Sequence, residues 1–112
     1  MKIAIDCDEA GLPLKPVILE QLRRLGVEAV DLNLLGQCRV DYPDIGHNLA
    51  LKIAAHEFDR GILVCGTGIG VCISANKVPG IRAANVTSEY EAQMSREHND
   101  ANVLALGARI GM

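Results

Sequence analysis

Residues 61–70 read GILVCGTGIG and give the strongest indication of the fold in this chain. Gly61 to Val64 is a short apolar run that predicts a buried strand, and a glycine-rich turn follows it. A third helix is expected to begin near Gly70 and to end at about Lys77. A strand that passes through such a turn into a helix is typical of parallel α/β sheets, so the stretch predicts an α/β protein.

The same alternation of strands and helices extends along the whole chain. Short apolar strands joined by amphipathic helices predict a parallel sheet that is covered on both faces. In such sheets ligands bind beyond the carboxyl ends of the strands. The strands are expected at 1–5, 27–32, 61–64, 81–86 and 103–106, and the helices at 12–25, from 43 to at least 54, 70–77 and 88–98.

Composition excludes several classes of protein. The chain has 112 residues, a net charge of -3, 49% hydrophobic residues and 22% charged residues, which is typical of one globular domain. The negative net charge argues against the basic stripe of a nucleic-acid-binding protein. Trp is absent and aromatic residues make up 3%, so side chains on which bases could stack are scarce as well. No apolar run approaches the ~20 residues of a membrane span. Since the N-terminus turns acidic at Asp6, no signal peptide is expected, and we expect a cytoplasmic protein with free thiols.

The turn at residues 65–70 is the strongest candidate for a binding loop. Glycines allow the backbone to approach a ligand, and the free N–H groups at a helix start attract negative charge. Two familiar phosphate motifs fit poorly, because Val71 stands where a P-loop has lysine and where a dinucleotide fingerprint has glycine or alanine. A glycine-rich turn without a ligand therefore remains an alternative.

The four cysteines form no CxxC pair and no zinc pattern, so we expect no metal site. Cys65 lies at a strand end beside helix-start amides, an environment that favours a thiolate base or nucleophile. An inert buried role is equally compatible with its position. Cys7 ends the first strand and is expected near Cys65, whereas Cys38 and Cys72 are interpreted as loop or packing residues.

Polar residues cluster at two further points. Asp6, Asp8 and Glu9 follow the first strand, and they favour either hydroxyl recognition or a solvated turn. His98 ends the fourth helix beside further polar residues, which indicates either a polar site or a surface histidine. Arg109 follows the last strand, where it could pair with an anion or lie on the surface.

Three segments in order resemble the family of ribose-5-phosphate isomerase B and galactose-6-phosphate isomerase: residues 65–70, 74–84 and 95–103. The similarity runs from Met1 to Gly111 and includes DYPD at 41–44. The resemblance implies a Rossmann-like three-layer αβα sandwich with a five-stranded parallel sheet. It also implies aldose–ketose interconversion through a cis-enediolate in the pentose phosphate pathway, without metal or organic cofactor. Homodimers or homotetramers with active sites between subunits are expected.

The resemblance assigns roles to individual residues. Cys65 would be the base that moves a proton between C1 and C2, and residues 66–70 would stabilise the enediolate oxygen. His98, assisted by Thr67, would open the sugar ring, and Arg109 matches an arginine that binds phosphate in some members. The implied substrate-contacting residues are Asp8, Glu9, Tyr42, Gly66, Gly68, Ile69, Gly70, Asn99 and Arg109.

The chain departs from the family pattern at two points. Glu9 stands where the family has a histidine that helps to hold the phosphate end, and a carboxylate would repel a phosphate dianion. Family members also continue beyond the equivalent of Met112 with a further helix and basic residues. We therefore expect a single isomerase domain at residues 1–112 that lacks this C-terminal helix.

Several functions remain open at this stage. The leading hypothesis is an isomerase of ribose 5-phosphate, with galactose 6-phosphate or a tetrulose phosphate as other substrates. A non-catalytic or truncated paralogue that binds sugar phosphates is the alternative from a different class. A thiol redox protein is disfavoured because the chain has no CxxC pair.

Overall fold

The computed structural model describes residues 1–34 and 42–109, without the side chains of residues 42 and 43. Strands and helices alternate along this part of the chain, and a short 3₁₀ turn at Glu9–Gly11 follows the first strand. The strands are β1 (Lys2–Cys7), β2 (Glu28–Asp31), β3 (Arg60–Cys65), β4 (Ala83–Asn85) and β5 (Val103–Gly107). The helices are α1 (Lys15–Arg24), α2 (Tyr42–Ala54), α3 (Ile69–Asn76) and α4 (Glu89–Glu97).

All five strands pair in parallel in the order β2-β1-β3-β5-β4. This confirms the five-stranded parallel sheet. From β1 the chain moves to β2 on one side and then to β3 on the other, so a switch point lies between the carboxyl ends of β1 and β3. Ligands bind at such points in open α/β sheets, which places the first candidate site there.

Helices cover both faces of the sheet, as expected for three layers. On one face α1 buries Leu19 and Leu22 against strand residues that include Ile5. On the other face α2 and α3 bury a larger cluster in which Leu49 and Val71 are fully inaccessible to solvent. Burial of this apolar surface is the main force that holds the layers together.

Element boundaries differ from the sequence predictions, most clearly in three elements. Strand β1 continues through Asp6 to Cys7, because these residues still pair with Leu63 and Val64 of β3. Helix α1 begins at Lys15 and not at residue 12, and the 3₁₀ turn at Glu9–Gly11 precedes it. Strand β4 is shorter than its apolar run, because only three of its residues pair with β5.

Side chains of Ser88 and Glu91 stabilise the start of α4. Ser88 Oγ accepts a hydrogen bond from the Glu91 N–H at 3.1 Å. The Glu91 carboxylate accepts from both the N–H and the hydroxyl of Thr87 at 2.7 Å, and these bonds lower the pKa of Glu91. Ser88 thus caps the helix, whereas Glu91 reaches back to Thr87, the residue before the cap, and not to Ser88 itself.

Candidate active site

The loop between β3 and α3 holds the Cys65 sulfur against a backbone amide. Cys65 ends the central strand and is 6% exposed. Gly68 adopts a left-handed conformation, with φ of 85°, and its N–H donates to Cys65 Sγ at 3.0 Å. An N–H donor stabilises a thiolate more than a thiol, so this bond favours the reactive form of the sulfur.

Thr67 stabilises the same loop. Its Oγ1 accepts from the Ile69 N–H at 3.1 Å, which closes a short turn at the start of α3. The side chain is exposed beside the Cys65 thiol. Since the hydroxyl acts as an acceptor in this bond, it retains its O–H for donation to a ligand.

The 3₁₀ turn after β1 places Asp8 beside the β3 loop. The Asp8 N–H donates to Val64 O at 3.2 Å, and its carboxylate accepts from the Gly11 N–H at 3.1 Å. A Cβ on Gly11 would lie 2.6 Å from Val64 O, closer than any side chain permits. The glycine therefore allows the turn to pack directly on the end of β3, and Asp8 faces the cleft that Cys65 also lines.

Arg109 lies over the other side of the loop. The N–H groups of Ala108 and Arg109 donate to Cys65 O at 2.8 Å and to Gly66 O at 3.0 Å. The guanidinium is close to Gly66, since a Cβ on that residue would lie 3.6 Å from Arg109 Nη1. A cation is thus held next to amide donors, an arrangement suited to binding an anion.

These residues form one open cleft of about 420 Å³ at the carboxyl edge of the sheet. Its volume is in the range of small-molecule sites, and the site is both charged and apolar. Gly68 lies beneath the cleft, where it contacts the Cys65 sulfur. The cleft is lined by Asp8, Ala10, Cys65, Gly66, Thr67, Ile69, Gly70, Ile73 and Arg109.

Two of these lining residues were not singled out from the sequence. Ala10 lies in the turn after β1, and Ile73 lies one helical turn beyond Ile69 on α3. The i, i+4 spacing of the two isoleucines is the signal that could have placed Ile73 at the cleft.

The predicted substrate contacts of Glu9 and Tyr42 differ in what the structure says of them. Glu9 is exposed on the 3₁₀ turn and does not line the cleft, although its neighbours Asp8 and Ala10 do. The side chain of Tyr42 lies outside the described residues. Its predicted contact with substrate therefore stays a prediction.

His98 and Asn99 do not join Cys65 within one protomer. Helix α4 runs back along the sheet, so its end lies near the amino ends of the strands. Asn102 O, shortly after the helix, accepts from the N–H of Gly61 at 2.9 Å. Gly61 precedes Cys65 by four residues of β3, which is about 13 Å of extended strand. The exposed His98 side chain therefore lies at the opposite edge of the sheet from the cleft.

The structure also separates the three acids that follow the first strand in the sequence. Asp6 is fully buried within β1, and its carboxylate accepts from the Cys7 N–H at 2.8 Å and the Leu34 N–H at 3.3 Å. Burial raises the pKa of Asp6 above its ordinary value. Because β1 extends beyond Asp6, this carboxylate is not part of the turn that carries Asp8 and Glu9, and it does not line the cleft.

The described cysteines lie in distinct environments. Cys7 belongs to the apolar cluster under α1, whereas Cys65 belongs to the cluster under α2 and α3, so the sheet separates their side chains. Burial raises the pKa of Cys7 to about 11. Cys72 donates to Ala83 O at 3.5 Å, and burial raises its pKa as well. Cys7 and Cys65 therefore do not form the disulfide pair that a thiol redox protein would need. Cys38 lies outside the described residues.

Two further properties concern the ranges 1–34 and 42–109. No helix there combines the length and the apolar character that crossing a bilayer requires. Within the same ranges no three His, Cys, Asp or Glu side chains are grouped so that they could hold a metal ion.

The class of this protein is defined by three features of the cleft: a thiol at the end of a central parallel strand, amide donors beside that thiol, and a cation above it. It is an α/β protein whose cleft suits proton transfer next to a carbonyl, because it offers a base and a place for developing negative charge. The chain belongs to the Ribose/Galactose Isomerase family, whose model matches residues 3–112. It is an aldose–ketose isomerase of sugar phosphates.

Individual relatives cover nearly the whole chain. Ribose-5-phosphate isomerase B of Escherichia coli (strain K12) is 49% identical over 109 residues, which are 97% of this chain and 73% of that protein. D-erythrulose-4-phosphate isomerase of Pectobacterium atrosepticum is 46% identical over 112 residues, with 98% of this chain and 73% of that protein covered. The solved structure of Clostridium thermocellum ribose-5-phosphate isomerase B has a TM-score of 0.92 at 53% identity and covers 99% of this chain and 75% of its own.

Proposed function

We propose that the cleft at the carboxyl ends of β1 and β3 interconverts ribose 5-phosphate and ribulose 5-phosphate, in the cytoplasm and within pentose phosphate metabolism. The single observation that carries this proposal is the bond between the Gly68 N–H and Cys65 Sγ at 3.0 Å. It provides a candidate base directly beside the N-terminus of α3, whose first amides have no partner within the helix. The E. coli relative is named for the same reaction.

The reaction follows from this arrangement. The Cys65 thiolate removes the proton at C2 of the open-chain aldose, the C–H electron pair forms the C1–C2 double bond, and O1 takes the negative charge. Other amides of the loop at residues 66–70 stabilise this enediolate, as an oxyanion hole does, because those of Gly68 and Ile69 already bond to Cys65 Sγ and Thr67 Oγ1. The proton on O2 passes to O1, and the Cys65 S–H returns its proton to C1, which completes the ketose with no net gain or loss of protons.

The other lining residues account for binding. Arg109 is the cation among the described residues of the cleft, and we assign it to the phosphate. The Asp8 carboxylate is an acceptor for sugar hydroxyl groups. Thr67 contributes the O–H that assists ring opening, together with His98.

The active enzyme is proposed to contain at least two copies of the chain. His98 and Asn99 lie at the opposite edge of the sheet from Cys65 in one protomer, so a second copy must supply them to the cleft. Ile69 and Ile73 support this arrangement, because they flank the cleft and are 52% and 56% exposed. Paired exposed isoleucines of this kind suit an interface between subunits.

The test is an isomerisation assay with ribose 5-phosphate. The wild-type chain and Cys72→Ala are expected to be active, whereas Cys65→Ala is expected to lose activity by a factor of about 10² or more, as for loss of an essential proton-transfer group. Cys72 is the matched control because it is a nearby thiol that does not line the cleft. Equal activity of Cys65→Ala and the wild type would overturn the proposed role of Cys65.

A second candidate substrate is a four-carbon sugar phosphate. Glu9 replaces the family histidine beside the cleft, and the Pectobacterium relative named for D-erythrulose 4-phosphate is nearly as similar as the E. coli one. A substrate panel decides between ribose 5-phosphate and erythrulose 4-phosphate, and it also includes galactose 6-phosphate. If Glu9 selects the shorter sugar, Glu9→His will raise kcat/KM for ribose 5-phosphate and lower it for erythrulose 4-phosphate. An unchanged ratio would contradict this role of Glu9.

A further inference from the structure

Asn85 has a buried side-chain oxygen for which the structure gives no hydrogen-bond donor. It is the last residue of β4, and its backbone is paired opposite Ala105 of β5. Its Oδ1 is inaccessible to solvent and has no hydrogen-bond partner among residues 1–34 and 42–109. Buried amide oxygens without a donor are rare because they cost free energy, so the position of this one needs a reason.

The oxygen lies directly behind the loop of the proposed active site. A Cβ on Gly68 would lie 2.5 Å from Asn85 Oδ1 and 3.0 Å from the Leu106 carbonyl carbon. That Cβ direction is also the direction of a Cα–H bond, so a Gly68 Cα–H points at the oxygen and makes a weak contact with it. Asn85 and the β5 backbone together thus form the wall against which Gly68 packs.

Gly68 is the residue whose orientation matters for Cys65. Its φ of 85° is strained for any other residue type, and its N–H is the donor to Cys65 Sγ. A change at Asn85 therefore reaches the Cys65 sulfur through its contact with Gly68.

We propose that Asn85 is a positioning residue: its buried Oδ1 holds Gly68 in the conformation that aims the Gly68 N–H at the Cys65 sulfur. This inference rests on the role proposed above for Cys65. A shorter side chain would leave space into which Gly68 can relax, and a branched apolar one would press on its Cα. In both cases the donor moves away from the sulfur and the thiolate loses stabilisation.

The test measures alkylation of Cys65 by iodoacetamide as a function of pH, with peptide mapping by mass spectrometry. Asn85→Leu and Asn85→Ala are each expected to move the midpoint of this profile upward by about one pH unit, which is a roughly tenfold slower alkylation below the midpoint. In the isomerase assay we expect kcat to fall by a similar factor with little change in KM. Alkylation needs no turnover, so the result stands even if ribose 5-phosphate proves to be the wrong substrate.

Asn102→Leu is the matched control. The Asn102 carboxamide accepts from the Arg82 N–H at 2.9 Å and donates to Gly80 O at 3.0 Å, at the amino edge of the sheet. Its loss is expected to lower the melting temperature without moving the Cys65 profile. A folded Asn85 variant with the wild-type profile would overturn the proposal, and so would an equal shift in Asn102→Leu. If Asn85→Leu does not fold, Asn85→Ala decides by the same criterion.

Discussion

Cys65 combines access to a cleft with a backbone donor to its sulfur, and neither Cys7 nor Cys72 lines that cleft. Cys7 is completely buried with a pKa of about 11, and burial also raises the pKa of Cys72. We therefore expect iodoacetamide at about pH 8 to modify Cys65 before Cys7 and Cys72, because only the thiolate reacts. Peptide mapping of the alkylated protein would measure the order. Modification of Cys7 first would show that the thiol environments differ from this description.

Asp6 gives the stability a defined dependence on pH. Burial is the main cause of its raised pKa, and the Lys15 ammonium only partly opposes it. A carboxyl group whose pKa is higher in the folded state contributes stability at low pH and loses it as pH rises through the folded pKa. Asp6→Asn removes this loss, so its free energy of unfolding is expected to rise relative to wild type as the pH increases above about 4.

Urea unfolding of both proteins across that range measures the difference. Asp8→Asn is the control, since Asp8 lies in the exposed turn that follows and its carboxylate caps the turn. A difference between Asp6→Asn and wild type that stays constant or falls with rising pH would contradict the assignment of the buried carboxylate.

At the scale of elements, the 3₁₀ turn after β1 depends on close packing of Gly11 on β3. A Cβ at Gly11 would meet Val64 O at 2.6 Å, so Gly11→Ala forces the turn away from the strand. We expect a loss of about 1–3 kcal/mol in the free energy of unfolding, as for overpacking elsewhere. Gly66→Ala is the matched control, because its Cβ would meet Arg109 Cδ at an ordinary 3.5 Å. Equal stability of the two variants in urea would contradict this account of the turn.

The sequence predicted the existence and type of the elements better than their ends. The apolar run before Cys65 and the glycines after it each reflect a local physical requirement, and the strand and the turn into a helix that they predict were both confirmed. The end of β1 was misplaced because Asp6 looks like a turn residue. Its burial depends on pairing with Leu63 of β3, a contact between distant parts of the chain.

At the scale of the whole molecule, strand order decides which predicted site residues can meet. Cys65, Asp8 and Arg109 come together because β1, β3 and β5 are neighbours and end at the same edge. His98 follows a helix that returns to the opposite edge of the sheet. A sequence motif does not show at which edge of the sheet its residues lie. The structure brings the predicted residues around Cys65 into one cleft, whereas the contribution of His98 and Asn99 stays a prediction that requires a second subunit.

A mixing experiment tests that arrangement of subunits. Cys65→Ala and His98→Ala are each expected to have little activity, because every active site of the proposed homodimer lacks one group. In a mixed dimer one of the two sites has both native residues, so random mixing should restore about a quarter of wild-type activity. Mixing after unfolding and refolding, followed by the ribose 5-phosphate assay, provides the measurement. If the refolded mixture forms dimers but regains no activity, Cys65 and His98 act within the same protomer.

In the proposed reaction, Cys65 moves a proton between two carbons of a sugar phosphate. The most direct measurement is turnover of ribose 5-phosphate in D₂O, followed by NMR at the C1 position of ribulose 5-phosphate. A thiol base exchanges its proton with solvent, so wild type and Cys72→Ala should incorporate deuterium at C1, whereas Cys65→Ala should not. Isomerisation by Cys65→Ala with the wild-type rate and deuterium content would contradict the account.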